Sequence, residues 1–273
     1  TSQEYRDFWK NETNKIQNGV TINGYHFSPF VYWHLNLWSI YKDVKINNRP
    51  LRELNRPDFW DSLIEIDDVI TRAENHPDSK KGVLIVGSRR ISKSVLITSK
   101  VAHQAIAYKN SELLLSGLNQ PDIKNLTDYL DLGLRNLPEY FRFSRIEDDW
   151  KKAVTLGFKD KATNIRNEWS KFHIRNFDDG NNTEAAAGLT LSGFLLDEAG
   201  KEKFLNCLSA TTPCFDSPFG WRCSPLITAC VCAGTKVWNI QGELKNIEDI
   251  KQEDGLLGFN GETIEKQSIN WFK

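Results

Sequence analysis

Methionine is absent from the 273 residues, and neither sign of charge dominates, since 35 lysines and arginines stand against 36 aspartates and glutamates. A chain that does not begin with methionine is expected to be a fragment whose ends need not be biological. The formal net charge of -1 gives no global basic field. Any contact with nucleic acid is therefore expected to be local, or to depend on parts outside this chain.

Long apolar runs are also missing. Nothing approaches the roughly 18 consecutive apolar residues of a membrane span, and the first residues lack the apolar core of a secretory signal. We therefore expect no membrane partner. With 40% hydrophobic and 26% charged residues, the composition is that of a globular protein. The length allows one large domain, or one domain with a small companion.

Cysteine is confined to one stretch of the chain. The five cysteines are Cys207, Cys214, Cys223, Cys230 and Cys232. They form no Cys-x-x-Cys pair and have no histidine nearby, which argues against a zinc site. An odd number of cysteines without a signal peptide favours reduced thiols in a cytosolic setting.

Apolar residues alternate between helix spacing and short continuous runs. The helical stripes are Phe30, His34, Leu37 and Tyr41; Leu63, Ile66 and Ile70; Ile97, Val101, Ala105 and Tyr108; and Ile123, Leu126, Leu130 and Leu134. The strand candidates are GVLIVG (82–87), SELLLSGL (111–118), KFHIRNF (171–177), LTLSGFLLD (189–197) and SPLITA (224–229). This alternation predicts an α/β core with a mostly parallel sheet, in which GVLIVG is a buried parallel strand.

Three polar residues inside these segments have ordinary structural interpretations. His34 is predicted to be a packed histidine at the edge of the core, without a catalytic role. Asp67 and Asp68 are predicted to lie on a solvated helix face and not in a metal site.

The stretch GSRRISKS (87–94) is similar to a phosphate-binding loop of the pattern Gly-x4-Gly-Lys-Ser/Thr. The candidate ATP-binding residues are Gly87, Ser88, Arg89, Arg90, Ile91, Ser92, Lys93 and Ser94. The loop follows a predicted strand and opens a predicted helix, so backbone N–H groups and the helix N-terminus can favour an anion. Lys93 suits the β and γ phosphates, and Ser94 suits Mg²⁺. Ser92 replaces the usual second glycine.

Acidic residues supply the second half of such a site. Asp197 and Glu198 end the predicted strand GFLLD, at the carboxyl edge where open α/β sheets bind ligands. Asp197 is the candidate Mg²⁺ residue, and Glu198 is the candidate base for an attacking water. Arg89 and Arg90 are candidate catalytic residues that stabilise the transferring phosphoryl group in cis. The two side chains cannot both point at the phosphates, so one of them is expected to be a structural residue or a surface charge.

These residues resemble the ATPase half of the large terminase subunit of tailed bacteriophages. The resemblance covers residues 20–229 and rests on the arginine-bearing loop, GFLLDEAGK, the aromatic YWHLNLW and ATTPCF followed by SPLITA. It implies a RecA-like P-loop ATPase with an N-terminal helical segment, occupying 1–229, that uses ATP and Mg²⁺. It also implies double-stranded DNA, a portal protein, a small terminase subunit and a ring of copies as partners, in the host cell cytoplasm. The family's C-terminal nuclease domain has no counterpart in this sequence. Ser92 stands where the family usually has glycine, which puts the rate of ATP hydrolysis in doubt more than nucleotide binding.

The sequence changes character at Cys230. Residues 230–273 resemble the N-terminal block of an intein, with Cys230, Thr235 and Val237 matching its Cys-x4-Thr-x-Val pattern. The resemblance implies a small all-β (Hint) fragment in which the Cys230 thiol attacks the Ala229 carbonyl. The later intein blocks are missing, so splicing would need a complementary intein half.

Two other interpretations stay open. The first is a helicase-like P-loop ATPase without an intein. In a chain without an intein, AGT (233–235) would itself be the coupling motif of the ATPase, and the residues after it would be an ordinary α/β continuation. The second is a nucleotide-binding scaffold without catalysis, in which Ser92 marks the loss of activity.

Overall fold

Seven strands form the central sheet of the structure, which is a computed structural model. The structure describes residues 2–46, 49–75, 82–87, 93–117, 119–160, 162–163, 165–177, 186–198, 204–218, 222–230, 236–246, 249–251, 254, 256–259 and 264–267. The chain divides into two compact units. The first contains Thr1–Ile85 and Ser92–Ala229, and the second contains Val86–Ile91 and Cys230–Lys273.

The helices and strands of the described residues alternate through the first unit. The helices are α1 (Gln3–Asn18), α2 (Pro29–Asn36), α3 (Asp61–Glu74), α4 (Lys93–Ala107), α5 (Gln120–Arg135) and α6 (Phe204–Phe215), with a 3-10 turn at Glu139–Phe141. The strands are β1 (Val20–Ile22), β2 (Tyr25–Phe27), β3 (Ile40–Ile46), β4 (Arg49–Asn55), β5 (Val83–Gly87), β6 (Ser111–Gly117), β7 (Ser144–Asp149), β8 (Ala153–Lys159), β9 (Arg166–Asn176), β10 (Gly193–Asp197), β11 (Leu226–Cys230), β12 (Lys236–Trp238), β13 (Leu244–Asn246), β14 (Leu256–Phe259) and β15 (Ile264–Gln267).

The order of strands in the sheet is β5-β11-β10-β6-β9-β8-β7. The pairs β11 with β10, β10 with β6, and β6 with β9 are parallel, while β8 and β7 add an antiparallel extension. The prediction of a mixed α/β fold with a mostly parallel sheet is therefore confirmed. The connection from β6 to β9 runs through α5 and the β7–β8 hairpin, and the hairpin is the part that the sequence patterns did not reveal.

The apolar stripes of α3 and α5 are buried as predicted, whereas the α4 stripe is buried except for Tyr108, which lies one residue beyond the helix end at Ala107 and is 45% exposed. Ile97, Val101 and Ala105 of α4 are at most 2% exposed. The predicted stripe of α5 is also buried, and Gly133 in this helix faces Trp38 so closely that a Cβ atom would lie 2.1 Å from the ring. A glycine is required there because the indole occupies the space of any side chain.

Two neutral histidines lie in the packing between α1, α2 and α4. His34 Nδ1 lies 2.9 Å from Ser99 Oγ, and His103 Nε2 donates to the Ile16 carbonyl at 2.6 Å. Burial lowers the pKa of each ring to about 3. The structural interpretation of His34 agrees with this, although the side chain is deeper than a core edge, at 2% exposed.

The predicted helical stripe in residues 26–42 is wrong in its second half. Helix α2 ends at Asn36, so Leu37 caps it and Tyr41 lies on strand β3 with half of its surface exposed. The Arg56 guanidinium explains the early end, because Nη1 donates to the carbonyls of Leu37 and Trp38 at 2.6 and 3.0 Å. The carbonyls of Leu37 and Trp38 thus accept hydrogen bonds from Arg56, and not from the backbone N–H groups of a longer helix.

Two other predictions were wrong in part. Asp67 is buried, and burial raises its pKa, whereas Asp68 is exposed and pairs with Arg72 at 2.9 Å. Strand β5 is not buried on both faces, since Leu84 and Val86 are exposed. Strand β5 is also the last strand in the order of the sheet, with β11 as its neighbour.

The described part of the second unit consists mainly of short antiparallel hairpins. Strand β12 pairs with β13, and β14 pairs with β15. The buried Asn239 closes the first hairpin, since its Oδ1 accepts from the backbone N–H groups of Gln241 and Glu243. The sequence predicts short strands separated by turns after Cys230, and the described residues of this region form such strands. Their assignment to an intein stays a prediction.

Among the described residues, no helix is both long and apolar enough to cross a lipid bilayer.

The buried histidines predict acid sensitivity. Their folded pKa of about 3 lies below the unfolded value of about 6.5, so the unfolded chain binds more protons and stability falls as pH decreases from 6.5 toward 3. Each ring contributes up to about 1.4 kcal/mol per pH unit in that window. Urea unfolding between pH 7 and 5 should show a weaker pH dependence in His34→Gln. The exposed His26→Gln control should keep the original dependence, and an unchanged slope in His34→Gln would contradict the assignment.

Candidate nucleotide site

Three polar side chains from separate elements meet at the carboxyl edge of the sheet. Ser94 Oγ donates to Asp197 Oδ2 at 2.8 Å, and Thr228 Oγ1 donates to Asp197 Oδ1. Asp197 and Thr228 are buried, and Ser94 is half-buried. The structure thus joins the predicted metal residues Ser94 and Asp197, which are 103 positions apart in sequence.

The strand register explains this meeting. Leu196 on β10 pairs with Ile227 on β11 in a parallel arrangement, so the next residues along, Asp197 and Thr228, are neighbours. Ser116 Oγ on β6 also donates to the Leu195 carbonyl at 2.7 Å, which ties the end of β10 to its other neighbour. The Asp197 carboxylate is therefore held by side chains of the neighbouring strand β11 and of helix α4.

Burial is the main electrostatic influence on Asp197. It raises the pKa of the carboxyl, because the charged form loses solvation. The hydrogen bonds from Thr228 and Ser94 act in the opposite direction, and the neighbouring Glu198 charge adds to the rise. A buried carboxylate at a ligand-binding edge is a typical feature of functional sites.

Helix α4 brings its first turn to this carboxylate. Lys93 is its first residue and is buried, at 6% exposed. Thr98 Oγ1 donates to the carbonyls of Ser94 and Val95 at 2.5 and 3.0 Å. The first turn of a helix of this length favours anions through its free N–H groups and dipole.

Glu198 occupies an uncommon backbone conformation. Its φ of 57° lies in the left-handed region, directly after the strand residue Asp197. A non-glycine residue there costs roughly 1 kcal/mol, and such conformations cluster at functional sites. The half-buried Glu198 thus leaves the strand at a sharp turn.

Several predicted site residues lie outside the described part of the chain. These are Ser88, Arg89, Arg90, Ile91 and Ser92 of the loop, and only the backbone is described for Gly87 and Cys230. The roles assigned to them stay predictions. Among the described residues, no group of three or more His, Cys, Asp or Glu side chains could hold a metal ion, and Cys207, Cys214 and Cys223 are free thiols.

The donors that are present fit a hard divalent cation. Mg²⁺ prefers oxygen ligands and binds through one or two carboxylates while keeping several waters. Ser94 and Asp197 offer a hydroxyl and a carboxylate 2.8 Å apart at a helix N-terminus. These two residues would hold the ion in the arrangement that the sequence predicts.

Thr228 is the site residue that sequence reasoning missed. It lies in the strand candidate SPLITA, in which the sequence pattern singles out no functional residue. The available signal was a single hydroxyl between Ile227 and Ala229, in the strand that follows the acidic strand along the chain. Recognising it requires the knowledge that β11 and β10 are neighbours.

Comparisons with known proteins gave matches in the solved structures alone. No protein-family model matches the sequence, and the search of curated proteins found no significant match. The ATPase domain of the large terminase of Thermus phage P74-26, in a mutant form, is 20% identical with a TM-score of 0.45, over 57% of this chain and 62% of that one. The large terminase of a thermophilic bacteriophage is 19% identical with a TM-score of 0.44, over 65% of this chain and 40% of that one.

The large terminase of bacteriophage HK97 is 12% identical with a TM-score of 0.47, over 75% of this chain and 37% of that one. The chain thus spans between roughly two-fifths and three-fifths of the length of these proteins. At this level of identity and of TM-score, the functional argument rests on the residues of the site.

Proposed function

We propose that the chain is an ATPase of the terminase type, in which ATP hydrolysis drives DNA packaging. The observation that carries the proposal is the pair of hydrogen bonds from Ser94 and Thr228 to Asp197 at the carboxyl edge of the sheet. It supports a P-loop assignment for 87–94, because the loop's closing serine meets an acidic strand end. A chance sequence match would not be expected to meet that condition.

The proposed chemistry is attack of a water on the γ phosphorus. The bond from that phosphorus to the β–γ bridging oxygen breaks, and ADP leaves. Glu198 accepts the proton of the attacking water, while Lys93 places its positive charge on the β and γ phosphate oxygens. Either Arg89 or Arg90 stabilises the charge on the transferring group in cis.

Mg²⁺, when bound by Ser94 and by Asp197 directly or through water, supplies positive charge beside the same phosphates. Before that, the two hydroxyl groups keep the Asp197 carboxylate oriented. Thr228 takes Oδ1 and Ser94 takes Oδ2, so the carboxylate cannot rotate freely. Pre-oriented groups reduce the reorganisation that the reaction requires.

The remaining parts of the proposal follow the family resemblance. They are double-stranded DNA as the substrate that is moved, a portal protein and a small subunit as partners, a ring of copies, and the host cytoplasm as location. The competing proposal is a nucleotide-binding scaffold without turnover, and Ser92 is the feature that favours it.

Two substitutions separate these possibilities. Lys93→Ala should weaken MgATP binding by tenfold or more, because a charge-assisted contact to phosphate is lost. Glu198→Gln should keep MgATP affinity and reduce turnover by about a hundredfold or more, since general-base catalysis contributes that much. Calorimetry and phosphate release measure the two effects, with Lys109→Ala as a control for the loss of one positive charge. Unchanged affinity in Lys93→Ala would reject the loop assignment, and an inactive parent chain that binds MgATP would favour the scaffold.

We also propose that residues 230–273 are the N-terminal part of an intein. The division of the chain into units at Ala229 and Cys230, and the short hairpins beyond it, support this proposal. In the proposed step, the Cys230 sulfur bonds to the Ala229 carbonyl carbon while the C–N bond between the two residues breaks. The thiol proton moves to the departing amino group, which gives a thioester.

Thiol-induced cleavage tests the intein proposal. After addition of a complementary intein half, dithiothreitol should cleave the chain after residue 229. Cys230→Ala should abolish cleavage and Cys232→Ala should not, because Cys230 alone has threonine at the matching offset. Mass spectrometry of the products identifies the bond. Cleavage that depends on Cys232, or that persists in Cys230→Ala, would reject the proposal.

A further inference from the structure

A two-stranded ribbon extends from the first unit outside the central sheet. Strands β3 and β4 pair with each other over seven residues on each side, from Ile40 opposite Asn55 to Ile46 opposite Arg49. At 3.3 Å per residue the ribbon is about 23 Å long. Every residue of β4 is exposed. An isolated two-stranded ribbon is only marginally stable in water, so contacts with the rest of the chain must stabilise this one.

The base of the ribbon is firmly anchored. Arg56 binds the carbonyls of Leu37 and Trp38 and also donates to Ser39 Oγ at 2.8 Å. Lys42 pairs with Asp58 at 2.5 Å. The ribbon is thus fixed to the rest of the first unit at its base.

Charge along the ribbon is asymmetric. Residues 40–55 contain four basic and two acidic side chains, whereas the whole chain has a net charge of -1. Both acids lie toward the base. Asp43 is 3.7 Å from Arg52, and Glu53 stands opposite Lys42.

The outer half of the ribbon therefore carries unopposed positive charge. Lys45 and Arg49 are exposed, and neither makes an ion pair with the described residues. Lys45 lies opposite Pro50, and Arg49 lies opposite Ile46. Because facing residues share a face and successive residues alternate, Lys45 and Arg49 lie on opposite faces of the ribbon.

We propose that the β3–β4 ribbon is a contact element for double-stranded DNA. The major groove is wide enough for a two-stranded ribbon, and basic groups on both faces can reach the phosphates on both sides of the groove. Arg52 lies nearer the base, over the Tyr41 ring at 5.5 Å, and its charge is balanced by Asp43, so Lys45 and Arg49 carry the proposed contact. The choice of DNA as partner agrees with the proposed function, but the charge and shape of the ribbon are independent of the nucleotide site.

The ribbon is also next to the helix that carries Ser94. A cavity of about 290 Å³ is lined by Ile40, Tyr41 and Lys42 at the base of β3 and by Val95 in the first turn of α4.

Salt-dependent binding tests the proposal. The probe is a fluorescein-labelled duplex of mixed sequence, and binding to the full chain is followed by anisotropy from low to moderate salt. The double variant Lys45→Gln/Arg49→Gln should bind the duplex at least tenfold more weakly at low salt. Its slope of log affinity against log salt should be smaller by about two, because two phosphate contacts are lost.

The matched control is Lys151→Gln/Lys152→Gln, which removes the same charge from exposed residues in the turn between β7 and β8. It should leave affinity and slope unchanged. Equal losses in both double variants, no loss in the ribbon variant, or no binding by the parent chain would overturn the proposal. So would altered sedimentation of the ribbon variant with unaltered DNA affinity, since the ribbon would then contact a second copy of the chain.

The same samples distinguish this proposal from the proposed function. ATP affinity should be equal in the parent chain and the ribbon variant. DNA binding through the ribbon by a chain that does not bind ATP would reject the nucleotide site and keep the ribbon.

Discussion

The described site depends on one buried carboxylate. Asp197 accepts hydrogen bonds from Ser94 on one oxygen and from Thr228 on the other, so it connects helix α4 to strands β10 and β11. Burying a carboxylate is unfavourable unless it is hydrogen-bonded, and these two hydroxyl groups provide the compensation. Removal of either donor leaves a buried charge with one fewer partner. Burial of the carboxylate is unfavourable, but together with the two hydrogen bonds it gives an oriented oxygen ligand at the end of the sheet.

Strand order turns this local interaction into a site. Strand β11 lies between β5, which precedes the proposed phosphate-binding loop, and β10, which ends at Asp197. Because β11 places Thr228 at the level of Asp197, the two halves of the predicted site are bridged by a residue that belongs to neither. Glu198, in its left-handed conformation, then leaves the strand beside this bridge.

The sequence predicted the elements with a clear period or a clear end. The stripe of α5 and the strands β6 and β10 follow from apolar spacing, and the proximity of Ser94 to Asp197 follows from the loop pattern and from the position of the acid after a strand. The end of α2 was not predictable, because it depends on Arg56, which lies 20 positions beyond the helix end at Asn36. The burial of Asp67 and the exposure of β5 depend on neighbours that are distant in sequence. Thr228 was missed for the same reason, since its role appears only when the order of strands is known.

The dependence of ATP affinity on Mg²⁺ tests the central claim most directly. Calorimetry should give the dissociation constant of ATP with Mg²⁺ and with a chelator, for the parent chain and for Asp197→Asn. If the Asp197 carboxylate binds the Mg²⁺ ion of MgATP, the parent chain should bind MgATP at least tenfold more tightly than free ATP. That ratio corresponds to a difference of about 1.4 kcal/mol in binding free energy. Asp197→Asn should bind both forms with similar affinity. A variant that keeps the full preference for MgATP, or a parent chain with no preference, would contradict the account.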